Sequence, residues 1–131
     1  MKKKTKELER LTYKEEEVME HIWQLGPCAP KDVVACYEEP KPHISTISTM
    51  FQILERKGYL THEAKGRGYI YQPAVEQRSY GRGKLQSFVT RYFDNSYMNV
   101  VSALVQEEKV SQEELMAFLE KLKTLKPNNK K

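Results

Sequence analysis

The apolar residues of the first sixty positions recur at intervals of three and four, the spacing of amphipathic helices. A first helix is predicted after Thr12 and Glu15, which form the capping-box pattern Thr-x-x-Glu, and before Gly26-Pro27. Its apolar stripe consists of Val18, Met19, Ile22, Trp23 and Leu25, and its acidic face, expected to be solvated, consists of Glu15, Glu16, Glu17 and Glu20. A second, short helix is predicted from Lys31 to Glu39, because Pro30 suits a first helical turn.

A third helix, predicted between Pro42 and Gly58, combines an apolar stripe with a hydroxyl-rich face. The stripe is Ile47, Met50, Phe51 and Leu54, and the other face is Ser45, Thr46, Ser48, Thr49 and Gln52. A solvated face would more often carry Glu and Lys, which have higher helix propensity. Arg56 and Lys57 follow in the last turn, before a glycine cap. Because short hydroxyl side chains permit a close approach, we interpret this helix as one that enters a DNA groove.

The helical period gives way to strand-like alternation after Gly58. Two β-rich runs, 59–64 and 69–73, flank Lys65-Gly66-Arg67-Gly68, which predicts a hairpin. Three helices followed by a hairpin are the order of a winged helix-turn-helix domain. Arg67 stands between two glycines, where it could reach phosphates or a minor groove. A solvent-exposed turn with an incidental arginine is the alternative.

Helical periodicity returns in the last third of the chain. Three helices are predicted there: 75–94 with a hinge allowed by Gly81 and Gly83, a second capped by Asn95-Ser96, and a third that begins with the capping box Ser111-x-x-Glu114. The fold class is therefore mainly α with a small β-hairpin wing. The predicted domains are a winged-helix DNA-binding domain at 7–74 and a helical dimerisation domain at 75–125, with flexible tails at 1–6 and 126–131.

The apolar positions of these C-terminal helices are expected to form a dimer interface. Three short helices over about 50 residues make a marginal core alone, and a second copy would complete it. Folding back onto the first domain is the alternative. The expected interface residues are Leu85, Phe88, Val89, Tyr92, Val101, Leu104, Val105, Leu115, Phe118 and Leu119.

Charge is unevenly distributed along a chain whose net charge is only +4. Residues 7–39 hold three Lys or Arg against nine Asp or Glu, whereas residues 41–73 hold five against two. An acidic first segment followed by a basic helix and hairpin suggests that positive charge is concentrated on one side of the domain, as in proteins that bind nucleic acid. Since no apolar run approaches the ~18 residues of a membrane span, and no signal peptide is evident, a cytoplasmic location without membrane insertion is expected.

Residues that could carry catalytic or metal chemistry are scattered rather than grouped. The candidate metal ligands lack Cys-x2-Cys or His-x3-His spacing; they are His21, Cys28, Cys36, His43 and His62. No nucleophile elbow is present, and the wing glycines do not lead from a strand into a helix as a nucleotide loop does. We therefore expect no enzyme activity, no metal and no cofactor, and reduced thiols at both cysteines.

Three segments, in order, resemble the family of penicillinase and methicillin-resistance repressors. Residues 11–23 resemble its first helix, residues 46–60 its recognition helix and exit, and residues 66–73 its wing. The resemblance implies a winged-helix homodimer that represses transcription from a palindromic operator. It places base contacts on Ser45, Thr46, Ser48 and Thr49, and backbone or minor-groove contacts on Arg56, Lys57 and Arg67. The alternative is a winged-helix module that binds protein instead of DNA; such a helix would more often expose aromatic or aliphatic side chains.

The chain departs from this family at two inducer-related features. Members released by a membrane metalloprotease sensor carry an Asn-Phe bond in the second dimerisation helix, where this chain has Ala103-Leu104. The sensor is thus a partner implied by the resemblance alone, and the departure argues against proteolytic release. Copper-responsive members carry C-terminal Cys-x-Cys pairs, whereas no cysteine follows Cys36 here, so copper sensing is not expected.

Overall fold

The computed structural model describes residues 9–124, which form six helices and one two-stranded sheet. The elements are α1 (Tyr13–Leu25), α2 (Pro30–Val34), α3 (Ile44–Arg56), β1 (Leu60–Lys65), β2 (Gly68–Pro73), α4 (Gln77–Tyr92), α5 (Tyr97–Gln106) and α6 (Gln112–Thr124). The predicted fold class, mainly helical with a hairpin wing, is confirmed. The tails predicted at 1–6 and 126–131 lie outside the described residues.

Side-chain caps fix the starts of three helices, as their sequences predict. At α1, the Glu15 amide donates to Thr12 Oγ1 (3.1 Å) and the Thr12 amide donates to Glu15 Oε1 (2.9 Å). The same reciprocal bonds join Ser111 and Glu114 before α6, at 3.0 and 2.9 Å. At α5, Ser96 Oγ accepts from an amide of the first turn. Each cap satisfies amides that have no partner within the helix.

The second helix is shorter than its sequence pattern predicts. It ends at Val34 rather than Glu39, so the predicted bound is wrong. The residues that follow make one local and one tertiary contact outside the helix: the Lys41 ammonium donates to the nearby carbonyls of Ala35 and Tyr37, and the Tyr37 ring lies 4.8 Å from His21 on α1. The chain therefore turns towards α3 earlier than expected.

The chain divides into two compact units, Met1–Gly81 and Arg82–Lys131. The core of the first unit is Val18, Met19, Ile22, Cys28, Val33, Ile47, Phe51, Leu54, Tyr59, Leu60 and Tyr71. This unit continues beyond residue 74, the predicted end of the first domain. Trp23 Nε1 donates to the Val75 carbonyl (2.8 Å), and the Tyr80 ring packs 5.6 Å from Trp23 and 5.8 Å from Tyr59.

The hairpin pairs β1 with β2 in antiparallel register from Leu60↔Pro73 to Lys65↔Gly68, so two residues, Gly66 and Arg67, form the turn. Gly66 has φ +59°, a conformation that glycine adopts at little cost, as the first position of a type II′ turn requires. At the base of the hairpin, Cys28 and Tyr71 exchange two backbone hydrogen bonds of 2.9 and 2.7 Å. The base is thereby fixed to the segment between α1 and α2.

The second unit leaves most of its apolar side chains exposed. Among its described residues, only Val89 is buried. Its exposed large apolar side chains are Leu85, Phe88, Tyr92, Tyr97, Met98, Leu104, Met116, Phe118, Leu119 and Leu122. Helix α4 itself runs unbroken through Gly81 and Gly83, where the sequence allows a hinge.

Candidate nucleic-acid interface

Helix α3 has one buried and one exposed face, as its sequence predicts. Ile47 is 2% exposed, and Phe51 and Leu54 are fully buried. The exposed side chains of the opposite face, at spacings of one, three and four, are Ser45, Thr46, Thr49, Gln52 and Arg56. Ser48, also predicted to contact DNA, is only half-exposed. The exposed face is thus a polar row along the length of the helix, with a cation at its C-terminal end.

The first turn of α3 is held by a histidine cap. His43 Nδ1 accepts from the Ser45 amide (3.1 Å) and lies 2.8 Å from Ser45 Oγ. This places His43, one of the scattered metal-ligand candidates, in a local capping role. The Ser45 hydroxyl is therefore oriented by the cap, whereas the hydroxyl groups of Thr46 and Thr49 lie farther along the exposed face.

The exit of α3 confirms the predicted glycine cap. Gly58 has φ +95°, its amide donates to the Glu55 carbonyl (3.0 Å), and the Tyr59 amide donates to the Leu54 carbonyl (2.8 Å). These are the two hydrogen bonds of a Schellman motif. Because Tyr59 and Leu60 are both buried, the cap turns the chain directly from α3 into the base of the wing.

The Lys57 side chain makes contacts within the domain and does not belong to the exposed face of α3. Its Nζ is 2.8 Å from Glu15 Oε1 and donates to the Arg10 carbonyl (2.8 Å), and its side chain is only 12% exposed. Burial raises the pKa of the Glu15 carboxyl, but the hydrogen bonds from Lys57 and Thr12 and the charge of Lys57 outweigh it, so the pKa lies below 4.5. Lys57 thus joins the end of α3 to the start of α1.

The acidic face of α1 is accordingly less solvated than its sequence suggests. Glu15 is only 6% exposed, which contradicts the expected solvated position. Glu16 accepts a hydrogen bond from the Tyr80 hydroxyl, and Glu17 accepts one from the Tyr37 hydroxyl at 3.5 Å. Since an amphipathic pattern marks only which side is polar, it could not show that these carboxylates have partners from distant elements.

The tip of the wing is exposed, and a hydrogen bond between His62 and Glu55 joins the wing to α3. Arg67 occupies the turn and is exposed, as are Lys65 and Tyr69 beside it. His62 on β1 lies 2.7 and 2.9 Å from the two carboxylate oxygens of Glu55 on α3. The exposed faces of α3 and the hairpin therefore belong to elements that are joined both by the chain and by this pair.

One residue, Gln52, and one residue pair, Glu55 and His62, belong to this surface although they are not among the predicted contact residues. Gln52 lies in the exposed row, three residues after Thr49 and four before Arg56, although its sequence position alone does not single it out as a contact. Its amide could bond both the N6 and N7 atoms of an adenine. The Glu55–His62 pair joins a helix to a strand across a cap, so no helix or strand spacing predicts it.

The scattered cysteines and histidines do not gather into a metal centre in the part of the chain that the structure describes, where no group of three or more His, Cys, Asp or Glu is placed to hold an ion. Both cysteines are free. Burial, followed by the charge of Asp32 and the neighbouring Cys36, raises the pKa of the Cys28 thiol to about 11. Between residues 9 and 124, no helix combines the length and apolar character needed to cross a bilayer.

A sequence model of the family described as penicillinase repressor matches residues 11–124. The chain belongs to the penicillinase repressor family. The penicillinase repressor of Bacillus licheniformis is 28% identical over 111 residues, which cover 84% of this chain and 87% of that protein. An uncharacterized 16.5 kDa protein in the ptsI 3′ region of Latilactobacillus sakei is 28% identical over 117 residues, 88% of this chain and 80% of its own length.

Membership of the penicillinase repressor family confirms the resemblance drawn from the sequence. It indicates a DNA-binding transcriptional repressor, a regulatory class of protein. The match extends over both compact units, since it begins before α1 and ends with α6. The Ala103-Leu104 bond lies inside α5.

Proposed function

We propose that this chain is a sequence-specific repressor that binds a palindromic DNA operator as a homodimer. The observation that carries the proposal is the exposed polar row of α3, which lies opposite a fully buried apolar stripe and ends in a cation. An α-helix fits the major groove of B-DNA, and short polar side chains can approach base edges there. The hairpin beside α3 offers Arg67 to the backbone or minor groove.

In this proposal the exposed residues have distinct roles. Thr46 and Thr49 contact base edges, with Ser45 and Ser48 at the sides of the same face, and Gln52 is added to this set. Arg56 and Arg67 contact phosphates or the minor groove. Lys57 is left out, because its ammonium is already bonded to Glu15 and to the Arg10 carbonyl.

The exposed apolar surface of the second unit supports the homodimer. Phe88 and Leu104 are 49% and 40% exposed, and an open groove of about 320 Å³ lies between α5 and α6. The groove is lined by Val101, Leu104, Val110, Glu114, Leu115 and Phe118. Apolar patches of this kind mark interaction surfaces. A second copy would cover them and place two α3 helices for two operator half-sites.

The protein–protein alternative finds less support on the face of α3. Binding hot spots are enriched in Trp, Tyr and Arg set in apolar pockets. Apart from Ile44 at its first turn, the exposed side of α3 carries hydroxyl, amide and guanidinium groups. These groups match the hydrogen-bonding edges of bases and phosphates better than an apolar protein groove.

Selection from a random pool of duplexes of about 30 base pairs, long enough for two half-sites one helical turn apart, tests the proposal. Full-length protein should enrich a sequence with two-fold symmetry, and its affinity should fall steeply as salt is added, because counterions are released on binding. Enrichment of no sequence would contradict sequence-specific DNA binding and favour the protein-binding alternative.

The enriched duplex then separates the roles of α3 and the wing. Thr46→Ala should cost about 1–3 kcal/mol of binding free energy and relax specificity at one position in each half-site. Arg67→Ala should weaken binding to enriched and scrambled duplexes by similar factors, since phosphate contacts carry little sequence information. If both variants bound like the unchanged protein in fluorescence anisotropy titrations, this assignment of roles would be wrong.

A further inference from the structure

The wing is packed against the domain core only at its base. Leu60 is 1% exposed and Tyr71 8% exposed, and the Tyr71 ring meets Phe51 of α3 edge-on at 5.0 Å. From Glu63 to Tyr69 every residue is exposed. The outer half of the wing, which carries Arg67, therefore has no apolar packing to fix its direction relative to α3.

His62 lies at the boundary between the packed base and the exposed outer half. Its Nδ1 is 2.7 and 2.9 Å from the carboxylate oxygens of Glu55, in the last turn of α3. Its ring also lies edge-on to Tyr69 at 4.7 Å and tilted against Tyr71 at 5.3 Å. One side chain thus contacts α3, the base of β2 and the residue two positions after Arg67.

We infer that Glu55 and His62 are positioning residues, which hold the wing at a fixed angle to α3 so that Arg67 and the exposed face of α3 contact DNA together. The inference rests on the proposed DNA binding. Both side chains are about one-third exposed, Glu55 at 33% and His62 at 36%. A pair so exposed contributes little to folding stability. We therefore expect the pair to act on the direction of the wing. Without the pair, the wing is ordered only when the protein binds DNA, and the free energy spent on this ordering lowers the affinity.

A double-mutant cycle with Arg67 tests this inference on the selected duplex. His62→Ala should weaken binding several-fold, and should have almost no further effect in an Arg67→Ala background, because the pair acts through Arg67. The thermal transition of each variant should stay close to that of the unchanged protein. Equal losses from His62→Ala in both backgrounds would overturn the inference.

Three further variants separate the hydrogen bond to Glu55 from the ring contacts. His62→Phe keeps the ring between Tyr69 and Tyr71 but loses the bond to Glu55, so it should bind as weakly as His62→Ala. His62→Asn restores an N–H donor near the position of Nδ1 and should recover part of the affinity. Thr61→Ala, on the adjacent residue of β1, is the matched control and should bind normally. Full affinity of His62→Phe would show that the aromatic contacts, without Glu55, position the wing.

These experiments distinguish a failure of the positioning role from a failure of the proposed DNA binding. If no duplex is enriched, the proposal of sequence-specific DNA binding is wrong, and there is no duplex on which the double-mutant cycle can be measured. If a duplex is enriched and Arg67→Ala weakens binding, but His62→Ala is neutral or additive with it, DNA binding stands and the positioning role is wrong.

Discussion

The two compact units differ in the exposure of their apolar side chains. In the first unit, Phe51 and Leu54 of α3 are fully buried against α1, α2 and the hairpin, while the polar face of the same helix is exposed. In the second unit, Phe118 on α6 is 54% exposed and Leu104 on α5 is 40% exposed. One chain completes the first core, whereas the second unit presents apolar faces that a second copy would cover.

The largest expected effect comes from truncating one phenylalanine in each unit and comparing the changes in the free energy of unfolding. Phe51→Ala should lower the free energy of unfolding of the first unit by about 3–5 kcal/mol, because it leaves a cavity in a packed core. Phe118→Ala, at protein concentrations where the chain is monomeric, should shift the same transition by less than about 0.5 kcal/mol. Urea denaturation followed by far-UV circular dichroism, which reports the helices of both units, measures both.

Equal costs for the two truncations would break the comparison, since they would show that Phe118 belongs to a core that one chain already completes. A large cost of Phe118→Ala that appears only at high protein concentration would sharpen it, because that dependence is the signature of association.

The next effect concerns the exposed apolar faces themselves. Phe88→Asp combined with Leu104→Asp should raise the dimer dissociation constant by at least about two orders of magnitude, since even one unpaired carboxylate in an apolar interface costs on the order of 3 kcal/mol. Sedimentation velocity over a concentration series measures the change. Gln86→Asp with Ser102→Asp adds the same charge to exposed polar positions of the same two helices and is the control. A stable dimer in the apolar double variant would place the interface elsewhere.

The elements of the fold could be predicted where the signal is local. The buried stripes of α1 and α3 follow from spacings of three and four, and the capping boxes at Thr12 and Ser111 bond as their sequences predict. The hairpin follows from its alternation and its glycines. In the second unit the same periodicity correctly marks helices, but it cannot say what covers their apolar faces, because coverage depends on another surface.

The site could be predicted only in part, for a related reason. Exposure of Thr46 and Thr49 follows from the helical period of α3. The position of Lys57 does not, because its partner Glu15 is 42 residues away and a cation in the last turn of a helix is equally consistent with solvent or phosphate. The early end of α2 has a similar origin, since the Tyr37 ring that follows it packs against His21 on α1, a contact that no local pattern encodes.

The smallest expected effect on stability comes from removing one ion pair in each unit. Glu15 and Lys57 in the first unit are 8% and 12% exposed, whereas Glu120 and Lys123 on α6 are about three-quarters exposed. At neutral pH, Glu15→Gln should cost about 1.5–3 kcal/mol, the range for a hydrogen bond to a charged group. Glu120→Gln should cost nothing measurable, because exposed pairs are weak.

Acid titration of stability should separate these two pairs further. The folded-state pKa of Glu15 lies below its ordinary value of 4.5, so its contribution to stability is present above that value and is lost as the pH falls through the lowered pKa. The difference in unfolding free energy between the unchanged protein and Glu15→Gln should therefore shrink on acidification, while Glu120→Gln follows the unchanged protein throughout. Urea denaturation followed by far-UV circular dichroism, which reports the helices of both units, measures this at a series of pH values. A difference that stayed constant into acid would mean that Glu15 acts through its shape and packing, and that the charge of Lys57 is satisfied by the Arg10 carbonyl alone.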